Sequence, residues 1–132
     1  MTQVLPSAGA DDDVVVLTVP ADGAYLSVLR TATAGLAARL HFTLDEIEDL
    51  RIAVDEACAM LLADAGPGAE LSCRYDVADG ALAVSVRVPG APVRVPGPDT
   101  FAWKVLTALA GEVSAETDGT VTTIRLTKRR AA

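Results

Sequence analysis

The sequence predicts an α+β two-layer sandwich, with three helices on one face of a mixed, mostly antiparallel sheet. Two strand pairs are each joined by a tight Asp-Gly turn, two helical segments follow the first strand, and a third helix lies between the hairpins. Hairpins pair strands antiparallel, and an amphipathic helix needs an apolar sheet face to cover. The predicted order is β-α-α-β-β-α-β-β, in one domain of a 132-residue chain.

The composition indicates an aliphatic core and an acidic surface. Hydrophobic residues make up 51% of the chain and aromatic residues only 4%. The net charge of −7 argues against nucleic-acid binding, because nucleic-acid binders present a basic surface. Cys58 and Cys73 lack the paired spacing of a zinc or redox motif, so we expect two buried thiols in a reducing cytoplasm. No secretion signal or membrane-length apolar run is apparent, so we expect a cytoplasmic protein without membrane contact.

The first third of the chain is predicted to contain an arm, a strand and a helix. Residues 1–13 are small, polar and acidic, as in a flexible arm, and VVVLTV (14–19) is a β-branched run that Pro20 ends. Asp22 is a candidate N-cap for a helix with two apolar stripes. The main stripe consists of Leu26, Leu29, Thr33, Leu36 and Leu40, and the second of Tyr25, Val28 and Ala32. Two apolar sides allow this helix to contact both the core and a partner.

A capping box, Thr43-Leu-Asp-Glu46, predicts a second helix that continues to about Ala63. His41, just before it, is expected to be a polar residue at the end of the first helix and not a catalytic base. The predicted buried face consists of Ile47, Leu50, Val54, Ala57, Cys58 and Leu61. Another stripe, expected to point away from the main core, consists of Asp49, Ala53, Glu56 and Met60.

The second half of the chain is predicted to hold two hairpins around a third helix. ELSCRYDV (70–77) and ALAVSVRV (81–88) alternate as strands do, and residues 89–99 are too rich in Pro and Gly for a regular element. The helix at 101–113 is expected to end at Gly111 and to bury Phe101, Val105, Leu106 and Leu109. The domain is expected to span residues 14–128, and the basic residues near the end to belong to a solvated tail, 129–132.

This order of elements, with LRIAVDEAC on the second helix, resembles the ATP-binding fold of histidine kinases, Hsp90-type chaperones and gyrase B. More narrowly, the chain is similar over about residues 14–130 to the anti-sigma factors of the RsbW/SpoIIAB type. The most specific segments are AVDEA, FAWKVLTALAGEV and DGTVTTIRLTK. The resemblance implies a cytoplasmic homodimer that holds a sigma factor and is released by a STAS-type anti-anti-sigma antagonist.

The resemblance also implies a nucleotide site, and the chain departs from it on the second helix and after the third strand. Glu56 matches the family's general base. Met60 replaces the Asn that coordinates magnesium, and a thioether is a poor ligand for that ion. Val88 replaces the Asp that accepts a hydrogen bond from adenine, although Gly90 is kept, and Pro92 replaces a later glycine.

The departures continue at the start of the third helix. Thr100 and Ala102 stand around Phe101 where the family has glycines that let backbone N–H groups approach phosphate. Beyond Glu56 and Gly90, Gly119 and Thr120 near the end of the chain still match the family. We therefore expect no cofactor and no metal, with ATP and magnesium binding only if the degenerate pocket still functions.

Two roles are left open for several side chains. Glu56 is either a residual general base or a remnant of the fold. The resemblance implies that Arg30 contacts the sigma factor, with Tyr25 and Val28 nearby, whereas Arg30 could instead form an internal ion pair or face solvent. Trp103 is either a core residue or an anchor in the closed pocket. The leading hypothesis is an anti-sigma factor, the alternative is an active serine/threonine kinase of the same family, and a third is an unrelated regulator on this fold.

Overall fold

The computed structural model describes residues 13–63, 65–89, 97–119 and 121–131. The elements are β1 (Asp13–Pro20), a 3-10 turn (Gly23–Tyr25), α1 (Leu26–Arg39), α2 (Leu44–Leu62), β2 (Glu70–Ala78), β3 (Ala81–Val88), α3 (Phe101–Ala110), β4 (Glu112–Asp118) and β5 (Val121–Arg129). The 3-10 turn is absent from the predicted order. The predicted arm lies outside the described residues except for Asp13, which belongs to β1.

The sheet has the strand order β1-β2-β3-β5-β4, and every pairing among these strands is antiparallel. The two-layer α+β prediction is confirmed, whereas the mixed sheet is wrong. Tight turns join β2 to β3 and β4 to β5. Two helices connect β1 to β2, and α3 followed by β4 connects β3 to β5. Each such connection brings the chain back to the end of the sheet at which the previous neighbour ended, so the two neighbouring strands run antiparallel.

The core lies between one face of the sheet and the helices. Alternate residues of β2, β3 and β5 point into it and are buried. Cys58 and Cys73 are both fully buried as free thiols, as predicted. Burial raises the pKa of Cys73 to about 11 and also raises that of Cys58, so both thiols are protonated at neutral pH in the folded protein.

Helix α2 is more deeply enclosed than its sequence predicts. Ala53 has no exposed surface, and Met60 is half-buried against the core, so the stripe expected to point away from the core is only partly exposed. Ile47, expected to be buried, is half-buried. The reason is that α2 packs against α1, α3 and the sheet, so that neighbours cover more than one of its sides.

The predicted start of α2 and the predicted end of α3 are confirmed, whereas Asp22 caps the 3-10 turn and α1 begins after Tyr25 without a side-chain cap. Thr43 Oγ1 accepts from Glu46 N at 3.1 Å, and Thr43 N donates to Glu46 Oε1 at 2.7 Å, which completes the capping box. His41, just past α1, adopts a left-handed conformation with φ of 62°. Gly111 follows α3 with φ of 100°, a conformation that favours glycine.

A buried hydrogen-bond network joins α1 to the sheet. Thr33 Oγ1 donates to Leu29 O at 2.7 Å and lies 2.9 Å from Tyr75 Oη on β2. Tyr75 also donates to Leu29 O at 3.2 Å. Tyr75 and Thr33 are fully buried, so these bonds satisfy polar groups that water cannot reach. The network fixes the position of α1 over β2.

Residues 128–131 are tied to the domain by hydrogen bonds although Arg129, Arg130 and Ala131 are exposed, and Ala132 of the predicted tail lies outside the described residues. Lys128 Nζ donates to Leu109 O at 2.8 Å, and Arg129 belongs to β5. Arg130 Nη1 donates to Leu40 O at 2.8 Å, and its backbone N donates to Gly80 O. The carbonyl of Leu40 at the end of α1 would otherwise lack a helical partner, and Arg130 supplies one.

Within the described ranges, no helix has the length and apolar character needed to cross a membrane.

Candidate functional site

The two positions on α2 that the family resemblance assigns to a nucleotide site differ in exposure. Glu56 is exposed, whereas Met60, one turn later on the same side, is half-buried and packs against the core. A thioether held against apolar neighbours offers no oxygen to a hard cation. Among the residues that the structure describes, no group of three or more His, Cys, Asp or Glu side chains could hold a metal ion.

Val88, at the end of β3, is fully buried in the core. Its side chain has no hydrogen-bonding atom, so it cannot accept a hydrogen bond from an adenine amino group. An Asp here would have to be buried, at a cost that a bound ligand would need to offset. Gly90, the next predicted site residue, lies outside the described residues.

The N-terminus of α3 is capped by its own chain. Thr100 Oγ1 accepts from Trp103 N at 3.3 Å and donates to Gly97 O at 2.7 Å. The Thr100 hydroxyl therefore occupies a position that a phosphate oxygen would need at an open helix N-terminus. Ala102 is half-buried, and Trp103 is half-buried against the core.

Phe101 was predicted to be buried and is 83% exposed. It is the first residue of α3, and a helical side chain leans toward the N-terminus, beyond the part of the helix that covers the sheet. At the far end of the chain, Gly119 has φ of 61° and serves the β4–β5 turn. Thr120 lies outside the described residues.

Taken together, the described residues at these positions do not fit Mg-ATP held in the family's manner. Met60 replaces an oxygen ligand, Val88 replaces an adenine acceptor, and the Thr100 hydroxyl already caps α3. Glu56, by contrast, retains the family's carboxylate and is exposed.

The three predicted partner-binding residues lie on two different flanks of α1 and the 3-10 turn that precedes it, which contains Tyr25. Tyr25 is 43% exposed and Val28 is 45% exposed, one turn apart on one flank. Arg30 follows Val28 by two residues, so the two side chains project roughly 200° apart around the helix axis. The structure therefore does not bring Arg30 together with Tyr25 and Val28.

Arg30 faces α2 and forms an ion pair with Asp55. Its Nε lies 3.1 Å from Asp55 Oδ1, with the two side chains 39% and 35% exposed. The Nε atom is shielded from solvent, yet its N–H does not point at a hydrogen-bond acceptor within the described residues. The pair is thus held by charge more than by a well-aligned hydrogen bond. The internal ion pair, one of the roles left open above, is present, and Asp55 is the partner that sequence reasoning missed.

Small side chains occupy the outer surface of α1 between these flanks. The residues there are Ser27, Thr31, Ala34, Gly35 and Ala38. Gly35 is exposed, and a Cβ added to it would meet nothing within 4 Å. Packing within the described residues therefore does not require a glycine at position 35, and the helix offers a flat surface to which another backbone could approach closely.

No protein-family model matches the chain. It is 36% identical to the anti-sigma-F factor RsbW of Mycobacterium tuberculosis, over 97% of this chain and 82% of that protein. It is 38% identical to the serine-protein kinase RsbW of Bacillus subtilis, over 59% of this chain and 51% of the kinase.

Two solved structures share the fold. One contains the RsbU and RsbW domains of a Mycobacterium tuberculosis protein, with a TM-score of 0.69 over 91% of this chain and 33% of that chain, at 17% identity. The other is the histidine kinase domain of a blue-light-activated kinase from Erythrobacter litoralis, with a TM-score of 0.59 over 94% of this chain and 66% of that one, at 17% identity. The fold is thus histidine-kinase-like, and the sequence identity along nearly the whole chain places this protein in the RsbW family of anti-sigma factors.

Proposed function

We propose that this protein is an anti-sigma factor that sequesters an alternative sigma factor of the stress-response or sporulation type. The observation that carries the proposal is its 36% identity, over nearly its whole length, to a protein named as an anti-sigma-F factor. Sequestration needs a surface and no reaction. The outer side of α1 offers exposed apolar side chains, an arginine and a flat strip of small residues.

Release then comes from competition by a STAS-type anti-anti-sigma antagonist, without phosphoryl transfer and without Mg-ATP. The replacement of an oxygen ligand by Met60 and of an adenine acceptor by the buried Val88 supports this part of the proposal. We further propose that the protein acts in the cytoplasm as a homodimer, without membrane or nucleic-acid contacts, since its partners are a sigma factor and a protein antagonist.

Arg30 has a specific place in the proposed complex. Its ion pair with Asp55 is partly exposed and lacks an aligned Nε hydrogen bond, so it gives up little when the guanidinium turns toward a carboxylate of the sigma factor. A bidentate contact to such a carboxylate is the stronger arrangement. Val28 and Tyr25, on the other flank, then contact a second part of the same partner across the strip of small residues.

Gly35 provides the sharpest test of binding across α1. Gly35→Gln places a long side chain in open space, so the fold should be retained while a partner lying on α1 is pushed away. Gly35→Ala is the matched control, because it raises helix propensity without adding bulk. In a pull-down with the sigma factor, we expect Gly35→Gln to lose the partner and Gly35→Ala to keep it. Equal capture by both variants would show that the sigma factor binds elsewhere.

The second candidate function is a serine kinase. It is favoured by the similarity to the Bacillus RsbW kinases and by the exposed carboxylate of Glu56. Incubation with labelled ATP and the antagonist tests it directly. Transfer of phosphate to an antagonist serine that Glu56→Gln abolishes would establish the kinase and overturn the ATP-independent part of the proposal. We expect no transfer from either form.

A further inference from the structure

The face of the sheet away from the helices carries an arginine cluster that neither the α1 surface nor the nucleotide positions use. It lines a depression of about 530 Å³ that crosses all five strands. We call this depression the open face. Its lining consists of Val16, Ser72, Arg74, Asp76, Ser85, Arg87, Ser114, Glu116, Thr123 and Arg125.

Strand register assembles two of the arginines around one carboxylate. Arg74 pairs with Ser85 across β2 and β3, and Ser85 pairs with Arg125 across β3 and β5. Arg74 Nη2 lies 3.0 Å from Asp76 Oδ1, and Arg125 Nη1 lies 3.3 Å from Asp76 Oδ2. Arg125 Nη1 also donates to Ser85 Oγ at 3.1 Å. Two guanidinium groups thus share a single carboxylate, which leaves an excess of positive charge and unused N–H donors.

The third arginine, Arg87, adds to this excess. It lies on β3 in register with Ser72 on one side and Thr123 on the other, and its side chain is exposed. Among the residues that the structure describes, no ion pair involves Arg87. The lining of this depression therefore holds three arginines and two carboxylates, Asp76 and Glu116, in a chain with a net charge of −7. Such a local reversal of sign focuses an anionic group onto this spot.

We propose that the open face docks an acidic segment of a partner protein, whose carboxylates are held by the guanidinium groups of Arg74, Arg87 and Arg125. Planar guanidinium groups match carboxylates bidentately, and the serine and threonine hydroxyls between them supply further hydrogen bonds. The inference goes beyond the proposed function and does not depend on it, because this face lies on the side of the sheet opposite α1.

Charge decides between this occupant and two others. A second copy would set the same positive cluster against itself in a two-fold interface, which brings like charges together. A nucleic acid would extend its phosphates past the cluster toward a chain of net charge −7. A short acidic segment engages only the cluster, since charges farther away than about 8 Å are screened at physiological salt.

Fluorescence anisotropy with a labelled peptide of alternating Glu and Ser tests the proposal. Arg87→Gln is the informative variant because no ion pair within the described residues involves Arg87. We expect it to weaken peptide binding about tenfold. Arg51→Gln, which removes the same charge from an exposed arginine on α2, is the matched control and should leave the affinity within about twofold. A peptide with Gln in place of Glu should not bind.

Four outcomes would overturn the proposal. The acidic peptide fails to bind the wild-type protein, or Arg87→Gln and Arg51→Gln weaken it equally, which would indicate general charge attraction. Sedimentation shows that Arg87→Gln changes the oligomeric state, which would make this face an interface between copies. Duplex DNA displaces the peptide in an Arg87-dependent way, which would identify a nucleic-acid site. None of these results involves a sigma factor, so they leave the proposed function untouched.

Discussion

The outer surface of α1 and the positions expected to hold a nucleotide differ in whether their side chains are exposed or packed into the core. On α1, Val28 and Arg30 keep apolar and charged groups within reach of a partner. At the nucleotide positions, Val88 is buried in the core and Met60 packs against it, so both side chains are engaged in packing. Under the proposed function, the contrast teaches that one scaffold can present a protein-binding surface while the positions expected to hold a nucleotide serve its core.

The largest effect is expected from restoring a carboxylate at the nucleotide position. Val88→Asp places an unpaired charge in the core and should lower the free energy of unfolding by about 3–5 kcal/mol. Urea denaturation measures this change. Arg87→Asp, at the neighbouring exposed position, should change stability far less. If Val88→Asp is tolerated and gains ATP binding, position 88 is accessible to a ligand and the contrast between the two regions fails.

Charge reversal on α1 should have the next largest effect, on binding and not on folding. Arg30→Glu should weaken sigma-factor binding by about 2–5 kcal/mol if Arg30 contacts a buried carboxylate of the partner. The variant also faces Asp55, so a second variant, Arg30→Asp with Asp55→Arg, restores the internal pair with its charges exchanged. Isothermal titration calorimetry should find that both variants bind the sigma factor more weakly than the wild-type protein. Recovery of affinity in the exchanged pair would assign Arg30 a purely internal role.

Removal of one buried hydroxyl tests how firmly the partner surface is supported. Tyr75→Phe removes one hydrogen-bonding neighbour from Thr33 Oγ1 and one from Leu29 O, although these two groups still bond each other, and it should cost about 0.5–1.5 kcal/mol. Tyr25→Phe removes an exposed hydroxyl from the partner surface and should cost under about 0.5 kcal/mol. Thermal unfolding compares the two variants. Equal effects would mean that the network beneath α1 does not hold the helix in place.

The smallest effect is expected from raising the pH, which acts on the stability of the core beneath both regions. Burial raises the pKa of the Cys73 thiol from 9.0 to about 11, and burial also raises that of the Tyr75 hydroxyl. A raised folded-state pKa stabilises the protein fully below the unfolded pKa, and this stability is lost as pH rises through the folded value. The urea concentration at the unfolding midpoint should therefore decrease as pH is raised from 9 to about 11. The decrease should be less steep in Cys73→Ala. A midpoint that does not depend on pH across this range would contradict the raised pKa of the buried Cys73 thiol.

The sequence predicts the elements of this fold well because their signals are local. The Thr43 capping box, the Asp79-Gly80 and Asp118-Gly119 turns and Gly111 each determine a helix end or a hairpin within a few residues. It fails for Phe101, whose helical spacing indicates burial although the first turn of α3 extends past the sheet. Periodicity reports the side of a helix and not what covers each part of it.

The site was less predictable, because its contacts join distant parts of the chain. Arg30 and Asp55 are paired by the packing of α1 on α2, and Arg130 reaches Leu40 from the opposite end of the sequence. The open face depends on the register of four strand pairings, which no single segment encodes. One signal was available in the sequence. Residues in these strands alternate between inward and outward positions, and Arg74, Arg87 and Arg125 occupy outward ones.

The central claim is that this protein binds its sigma factor without using a nucleotide. The most direct measurement is a calorimetric titration of the purified sigma factor into the protein, with and without Mg-ATP. The account predicts one dissociation constant, the same within about twofold in both conditions. A change of about tenfold or more on adding Mg-ATP would contradict it, because nucleotide would then be coupled to partner binding despite Met60 and Val88.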